Sequence, residues 1–251
     1  MAARSNAWRN LLATVRARYR ARTADMVAPL SPPVRLAPPL RLALIGMSGT
    51  GKTFWSKRLA QTGRPAISCD DRIEQRLRDR LEGGGYSGIK GVAAWMGWPD
   101  SATYAEREAE YLAKEIQTLD EVLTELEKDR SRELILDTTG SVIYTGNNLL
   151  LRLRRQTTIV YLAATPEEEQ LLITRYLSDP KPVLWRGAFQ PKKGETSRET
   201  VARCYPTLIA ARRQSYEALA HCTVSLAELR ESVADAKGFL ARVNAGLERA
   251  K

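Results

Sequence analysis

Gly46-Met47-Ser48-Gly49-Thr50-Gly51-Lys52-Thr53 fits G-x-x-x-x-G-K-[ST], the P-loop pattern. Such a loop turns backbone N–H groups onto phosphate oxygens, and the helix that follows adds the positive end of its dipole. On this pattern Gly46, Ser48, Gly49, Thr50 and Gly51 wrap the phosphates, and Lys52 holds the β- and γ-phosphates. The Thr53 hydroxyl ligates Mg²⁺. The chemistry is binding of a nucleoside triphosphate with Mg²⁺. Asp137 suits the same task, because it closes the apolar run Glu133-Leu134-Ile135-Leu136-Asp137 at the position where an acid holds Mg²⁺ through water. Its structural alternative is a turn or helix cap.

These residues need elements to position them. Leu40–Ile45 reads as a buried strand entering the loop, and 53–61 as the helix leaving it. A short strand at 65–69 precedes a helix over 70–81, which Asp70 or Asp71 can cap. Gly83-Gly84-Gly85 breaks it, and a short helix follows at 89–96. A long helix over 102–128 places Leu112, Ile116, Leu119, Leu123 and Leu126 at helical period. Strands are expected at 133–137, 157–162 and 222–225, and helices at 166–177, 199–220 and 227–247. The polar stretch 178–198 reads as a mobile lid whose Lys181, Arg186, Lys192 and Lys193 are candidates to close over phosphates. Alternating strands and helices predict an α/β fold with a parallel sheet covered on both faces.

Composition narrows the function. The net charge is +10, of which residues 1–38 carry +6 with seven arginines and one acid, Asp25. The remaining chain is nearly balanced, which argues against nucleic acid as the main ligand. Residues 1–22 form an arginine-rich amphipathic stretch, and five prolines lie between Pro29 and Pro39. The tail over 1–38 fits a poorly ordered extension, an organellar transit segment or a binder of anionic surfaces. A cytoplasmic protein is expected, or a mitochondrial or plastid one if the tail is a transit segment. Residues 39–251 form the catalytic domain. Cys69, Cys204 and Cys222 give neither a metal pattern nor a disulfide framework. The lone His221 argues against histidine chemistry. No apolar run is long enough to span a bilayer.

From Leu40 onward the motifs, in their order, resemble shikimate kinase, among the P-loop kinases of small metabolites. Ser68-Cys69-Asp70-Asp71-Arg72-Ile73-Glu74 resembles the family's D-x-D-x-x-I-E, and Tyr104-Ala105-Glu106-Arg107-Glu108-Ala109-Glu110 its F-R-x-x-E-x-E. Thr138-Thr139-Gly140 lies at its triple glycine, Lys181-Pro182-Val183-Leu184 at its lid R-P-L-L, and Arg212 with Tyr216 and Ala220 at R-x-x-x-Y-x-x-x-A. The resemblance implies a P-loop NTPase three-layer sandwich with a five-stranded parallel sheet in order 2-3-1-4-5. It implies that Asp70 orients or deprotonates the acceptor hydroxyl, that Thr139, Gly140 and Arg212 contact substrate, and that Lys181 contacts the nucleotide. A helix cap is the alternative for Asp70, and a solvated helix face for Arg212.

Three positions depart from the family: Ser68 replaces its first aspartate, Ala105 its carboxylate-binding arginine, and the two threonines its glycines. Losing that arginine costs a charge-assisted pair worth about 1.5–3 kcal/mol, roughly ten- to a hundredfold in binding, so shikimate is expected to be a poor substrate. The expected function is an ATP-dependent kinase transferring the γ-phosphoryl to a hydroxyl of a small metabolite, acting as a monomer. Alternatives are a nucleoside or nucleotide kinase stacking its base on Trp95, Trp98 or Tyr104, an ATP-binding regulatory pseudokinase, and a nucleic-acid-directed protein resting on the arginine tail alone.

Overall fold

The computed structural model describes residues 35–232 and 235–250. The arginine-rich segment and most of the proline stretch lie outside them. The strands are β1 Arg41–Ile45, β2 Ala66–Ser68, β3 Leu134–Asp137, β4 Thr158–Ala163 and β5 Cys222–Ser225. They form one parallel sheet in the order β2-β3-β1-β4-β5, as expected. The helices are α1 Lys52–Ala60, α2 Cys69–Arg76, α3 Arg78–Glu82, α4 Gly88–Met96, α5 Tyr104–Lys128, α6 Asn147–Gln156, α7 Pro166–Ser178, α8 Ser197–Leu219, α9 Leu226–Ser232 and α10 Ala236–Arg249.

Alternation along β1 makes the two layers. Ala43 and Ile45 face a core built with α2, α4, α5 and α8, while Leu42 and Leu44 face a second core built with α1 and α10. Trp55 of α1 stacks on Phe239 of α10, ring centroids 4.7 Å apart. Leu36 packs on this second core, and its N–H donates to Asn244 Oδ1 at 2.8 Å. His221 is a core residue: its Nδ1 accepts the Ile159 N–H at 2.8 Å, and burial holds its pKa down to about 4. Cys69, Cys204 and Cys222 are buried thiols.

Three helix expectations change. The segment 70–81 is two helices joined at Leu77, and 227–247 is two helices, the second capped by Asp235 Oδ1 accepting the Gly238 N–H at 2.8 Å. Helix α6, preceded by a 3-10 turn at Val142–Tyr144, fills a stretch where the sequence analysis assigns no element. On α5 the buried face carries Tyr104, Glu108, Tyr111, Glu115, Leu119 and Val122, whereas Ile116 of the apolar stripe is 37% exposed. The inward face is therefore rotated from the purely apolar one, and two carboxylates lie on it.

Candidate active site

The carboxyl ends of β1, β2 and β3 are level. Leu44 pairs with Asp137, and Asp137 with Ser68, so the P-loop, Asp137 and the start of α2 emerge side by side. Crevices at such edges are where open parallel sheets bind ligands. Gly46 has φ 141°, and a Cβ there would lie 2.8 Å from the Leu162 carbonyl oxygen, so only glycine fits. Gly51 is the left-handed N-cap of α1. No side chain caps this helix and its first turn holds no acid, which leaves its N–H groups available to an anion.

Lys52 is buried, its Nζ donating to the Gly46 and Met47 carbonyls at 3.0 Å each. Burial lowers its pKa, an effect that Asp137 and Asp70 oppose. Asp137 is 2% exposed, accepts a hydrogen bond from Thr53 and has a buried Oδ1 without a partner. Burial raises its pKa. An unpartnered carboxylate oxygen beside a hydroxyl is a donor set that suits a hard cation such as Mg²⁺.

Ser68, rather than Asp70 or Asp71, caps α2: its Oγ accepts the Asp71 N–H at 3.1 Å. Asp70 therefore has no capping task. Its Oδ1 accepts the Tyr111 hydroxyl at 3.0 Å. Burial pushes its carboxyl up to about 6, with Lys52 pulling it down and Asp137 adding to the rise.

The loop after Asp137 is held from two sides. On one, Glu115 of α5 accepts the Ser141 hydroxyl at 2.7 Å and the Thr139 hydroxyl. Burial pushes the Glu115 carboxyl up to about 7, against the pull of those hydroxyls. On the other, Arg212 and Tyr216 of α8 donate to the Gly140 carbonyl, Arg212 at 2.9 Å. A Cβ on Gly140 would stand 3.3 Å from the Ser48 nitrogen, so this loop lies against the P-loop. Thr139 is thus turned to Glu115 through its hydroxyl, and Gly140 to the P-loop. Arg212 is not on a solvated face. It is 2% exposed, and its Nη2 also donates to the Leu184 carbonyl at 2.7 Å.

The stretch 178–198 is not uniformly the solvated lid the sequence predicts. Val183, Leu184 and Trp185 are core residues. Trp185 packs against Tyr176, Phe189 and Tyr205 with centroids 5.6–6.1 Å apart. The Tyr104 hydroxyl donates to the Val183 carbonyl at 2.6 Å and accepts the Trp185 N–H at 3.1 Å. Lys192 and Lys193 are exposed. Lys181 lies apart from the P-loop group: it pairs with Asp179 at 3.2 Å and lines a cavity of about 360 Å³ with Lys90, Trp98, Tyr176 and Val183. Of the other predicted residues only Trp98, a candidate to stack a base, lines that cavity. Trp95 and Tyr104 are buried, which removes two of the three rings proposed to stack a base.

Sequence reasoning missed Glu115, Tyr111, Ser141 and Tyr144. Acids at 108 and 115, seven apart on a long amphipathic helix, were the available signal.

No protein-family model matches the chain. It is 32% identical over 165 residues to a shikimate kinase of Paracidovorax citrulli (strain AAC00-1), an overlap covering 64% of this chain and 75% of that protein. Its fold matches the shikimate kinase from Acinetobacter baumannii in complex with shikimate (TM-score 0.52, 24% identity, 86% of this chain and 96% of that one). It also matches the shikimate kinase from Bacteroides thetaiotaomicron (TM-score 0.52, 19% identity, 83% and 98%). With the sheet order and phosphate loop already in place, this kinship means that the chain belongs to the shikimate kinase-like P-loop kinases, ATP-dependent phosphotransferases whose acceptor is a hydroxyl of a small molecule.

Proposed function

We propose that this chain transfers the γ-phosphoryl group of Mg·ATP to a hydroxyl of a small metabolite held between Asp70 and the 138–141 loop. The observation that carries the reading is the charge arrangement at the carboxyl edge of the sheet. Lys52 sits within electrostatic reach of both Asp137 and Asp70, next to an uncapped helix N-terminus. An ammonium held between two acids with different surroundings can serve a metal-bound triphosphate on one side and an acceptor on the other.

Gly46, Ser48, Gly49, Thr50 and Gly51 receive the phosphates on backbone N–H groups, and Lys52 leaves its two loop carbonyls to meet the β- and γ-phosphates. Thr53 and Asp137 hold Mg²⁺, which when bound neutralises charge on the transferring phosphoryl group. Asp70 is largely ionised at neutral pH with a carboxyl near 6, so it can orient the acceptor hydroxyl and take its proton. Thr139, Gly140 and Arg212 shape the acceptor side. Lys181 leaves Asp179 to reach the nucleotide as its segment closes. We take a monomer as the working unit, and none of the chemistry needs a nucleic acid. No helix among the described residues is long and apolar enough to cross a membrane.

The test is acceptor-dependent ADP release by purified protein against a panel of small polyols and hydroxy acids, with phosphorylated product identified by mass spectrometry. Shikimate, the ligand of the Acinetobacter complex, is the first acceptor to assay. Tight Mg·ATP binding with no phosphorylated product from any acceptor would sink the kinase reading in favour of a nucleotide-binding regulator.

A further inference from the structure

We propose that Tyr111 is a positioning residue for phosphoryl transfer, holding the Asp70 carboxylate in the orientation that receives the acceptor hydroxyl. The proposal rests on the kinase reading above. Tyr111 lies on the inward face of α5 and is 2% exposed. Its hydroxyl donates to Asp70 Oδ1 at 3.0 Å. The two residues are 41 positions apart, so the packing of α5 on α2 makes this contact and no local turn does. The ring is part of the core, which leaves its hydroxyl one direction to point.

Asp70 stands where an anchor matters. It lies in the first turn of α2, where an aspartate side chain readily turns back onto the N–H groups of its own helix. Ser68 already caps that helix through the Asp71 N–H, at 3.1 Å. The other pull on the carboxylate is the Lys52 ammonium, which lies within electrostatic reach of it. That pull is not constant, because Lys52 turns to the β- and γ-phosphates once the nucleotide is bound. Tyr111 stays. Among the described residues its hydroxyl is the donor that bonds the Asp70 carboxylate.

The geometry divides the work between the two carboxylate oxygens. Oδ1 is committed to Tyr111, and Oδ2 is left to the acceptor. In the transfer the acceptor oxygen forms the new bond to the γ-phosphorus, and the bond from that phosphorus to the β,γ-bridging oxygen breaks. The hydroxyl proton passes to Oδ2. A carboxylate free to rotate would aim its lone pair at that proton for only part of the time, and small misplacements of a reacting group are costly in rate. The Tyr111 bond also favours the charged carboxylate, against burial and the Asp137 charge. Four residues along the same face, Glu115 holds the Thr139 and Ser141 hydroxyls. One face of α5 therefore sets Asp70 against the loop after β3.

The test is a double-mutant cycle on the full chain, using the acceptor with the highest turnover in the panel above. The variants are Tyr111→Phe, which keeps the packed ring and removes only the hydroxyl, Asp70→Asn, and the pair. Alone, Tyr111→Phe should lower kcat about tenfold, the scale of one hydrogen bond to a charged group, with the KM for Mg·ATP within about twofold. In the Asp70→Asn background the same change should lower kcat by less than about twofold, because the carboxylate it acts on is gone.

Equal losses in the two backgrounds overturn the proposal, since they place the effect of Tyr111 in the fold at large and not in Asp70. So does a Tyr111→Phe kcat within about twofold of wild type, or a loss confined to the KM for ATP. An active wild type with an unaffected Tyr111→Phe removes this proposal alone. A wild type that phosphorylates no acceptor removes the kinase reading and this proposal with it.

Discussion

Two side chains of the crevice give opposite kinds of measurable effect. Lys52 is a buried ammonium held on loop carbonyls at 3.0 Å, poised to exchange them for phosphate oxygens. Lys52→Ala should lower kcat by at least about 10²–10³-fold and weaken Mg·ATP binding, since a positioned charge leaves a desolvated loop. Calorimetry finding unchanged Mg·ATP affinity would contradict this role. Asp70 should instead spare the nucleotide. With its carboxyl near 6, the ionised base is lost as pH falls through 6, so kcat/KM for the acceptor should drop on that acid limb. Asp70→Asn should cost about 10²–10⁴-fold in kcat and abolish the limb, with the KM for ATP retained. A limb that persists in the variant would assign it to another group. The expectation that shikimate binds weakly rests on Ala105 and on the Cβ atoms that Thr138 and Thr139 add where the family has glycines. Glu108, one helical turn from Ala105, already pairs with Arg186 at 3.9 Å.

At the scale of elements, the stretch 178–198 carries the main revision. Its glycines, prolines and lysines resemble a free lid, yet Trp185 is 1% exposed and joins the aromatic group of Tyr176, Tyr205 and Phe189. Val183, Leu184 and Trp185 thus anchor the middle of the stretch in the core. Trp185→Ala should destabilise the protein by about 3–5 kcal/mol, read as a shift in the urea midpoint, because it opens a large void among packed rings. It should also raise the acceptor KM, since Arg212 and Tyr104 hold the neighbouring carbonyls of Leu184 and Val183. A loss below about 1 kcal/mol would show that the segment is not part of the core.

The whole molecule should register the site's acids in its pH dependence. Glu115 is buried with a carboxyl near 7, and Asp70 lies near 6, both above their unfolded values. A raised carboxylate pKa means that the native state keeps protons the unfolded chain has released, so stability is full below about pH 4 and falls as pH rises to about 7. For Glu115 this decline is on the order of 3 kcal/mol. Glu115→Gln, which can still hydrogen-bond the Thr139 and Ser141 hydroxyls, should remove much of it. Denaturant midpoints measured from pH 4 to 8 test this: parallel profiles for variant and wild type would show that Glu115 does not titrate in that range.

The sequence by itself determined whatever is written in short spacings. A P-loop is eight adjacent residues whose glycines and lysine act through their own backbone, and apolar runs with helices between them specify a parallel sheet. The resemblance of ordered motifs added the strand order. Tertiary structure decided which partner each polar side chain meets. The inward face of α5 could not be read from its leucines, because Glu115 finds its hydroxyl donors 24 and 26 residues away at Thr139 and Ser141. Only with those donors in place is burying a carboxylate tolerable. Arg212 turns inward because carbonyls 72 and 28 residues distant, at Gly140 and Leu184, accept its N–H groups. Ser68 caps α2 because β2 ends one residue before that helix begins, which puts its hydroxyl under the Asp71 N–H and leaves Asp70 to the crevice. The left-handed turn at Arg186 is held by Glu108, 78 residues earlier. No local preference of arginine predicts such a conformation, since the bonds that impose it form only once the chain has folded.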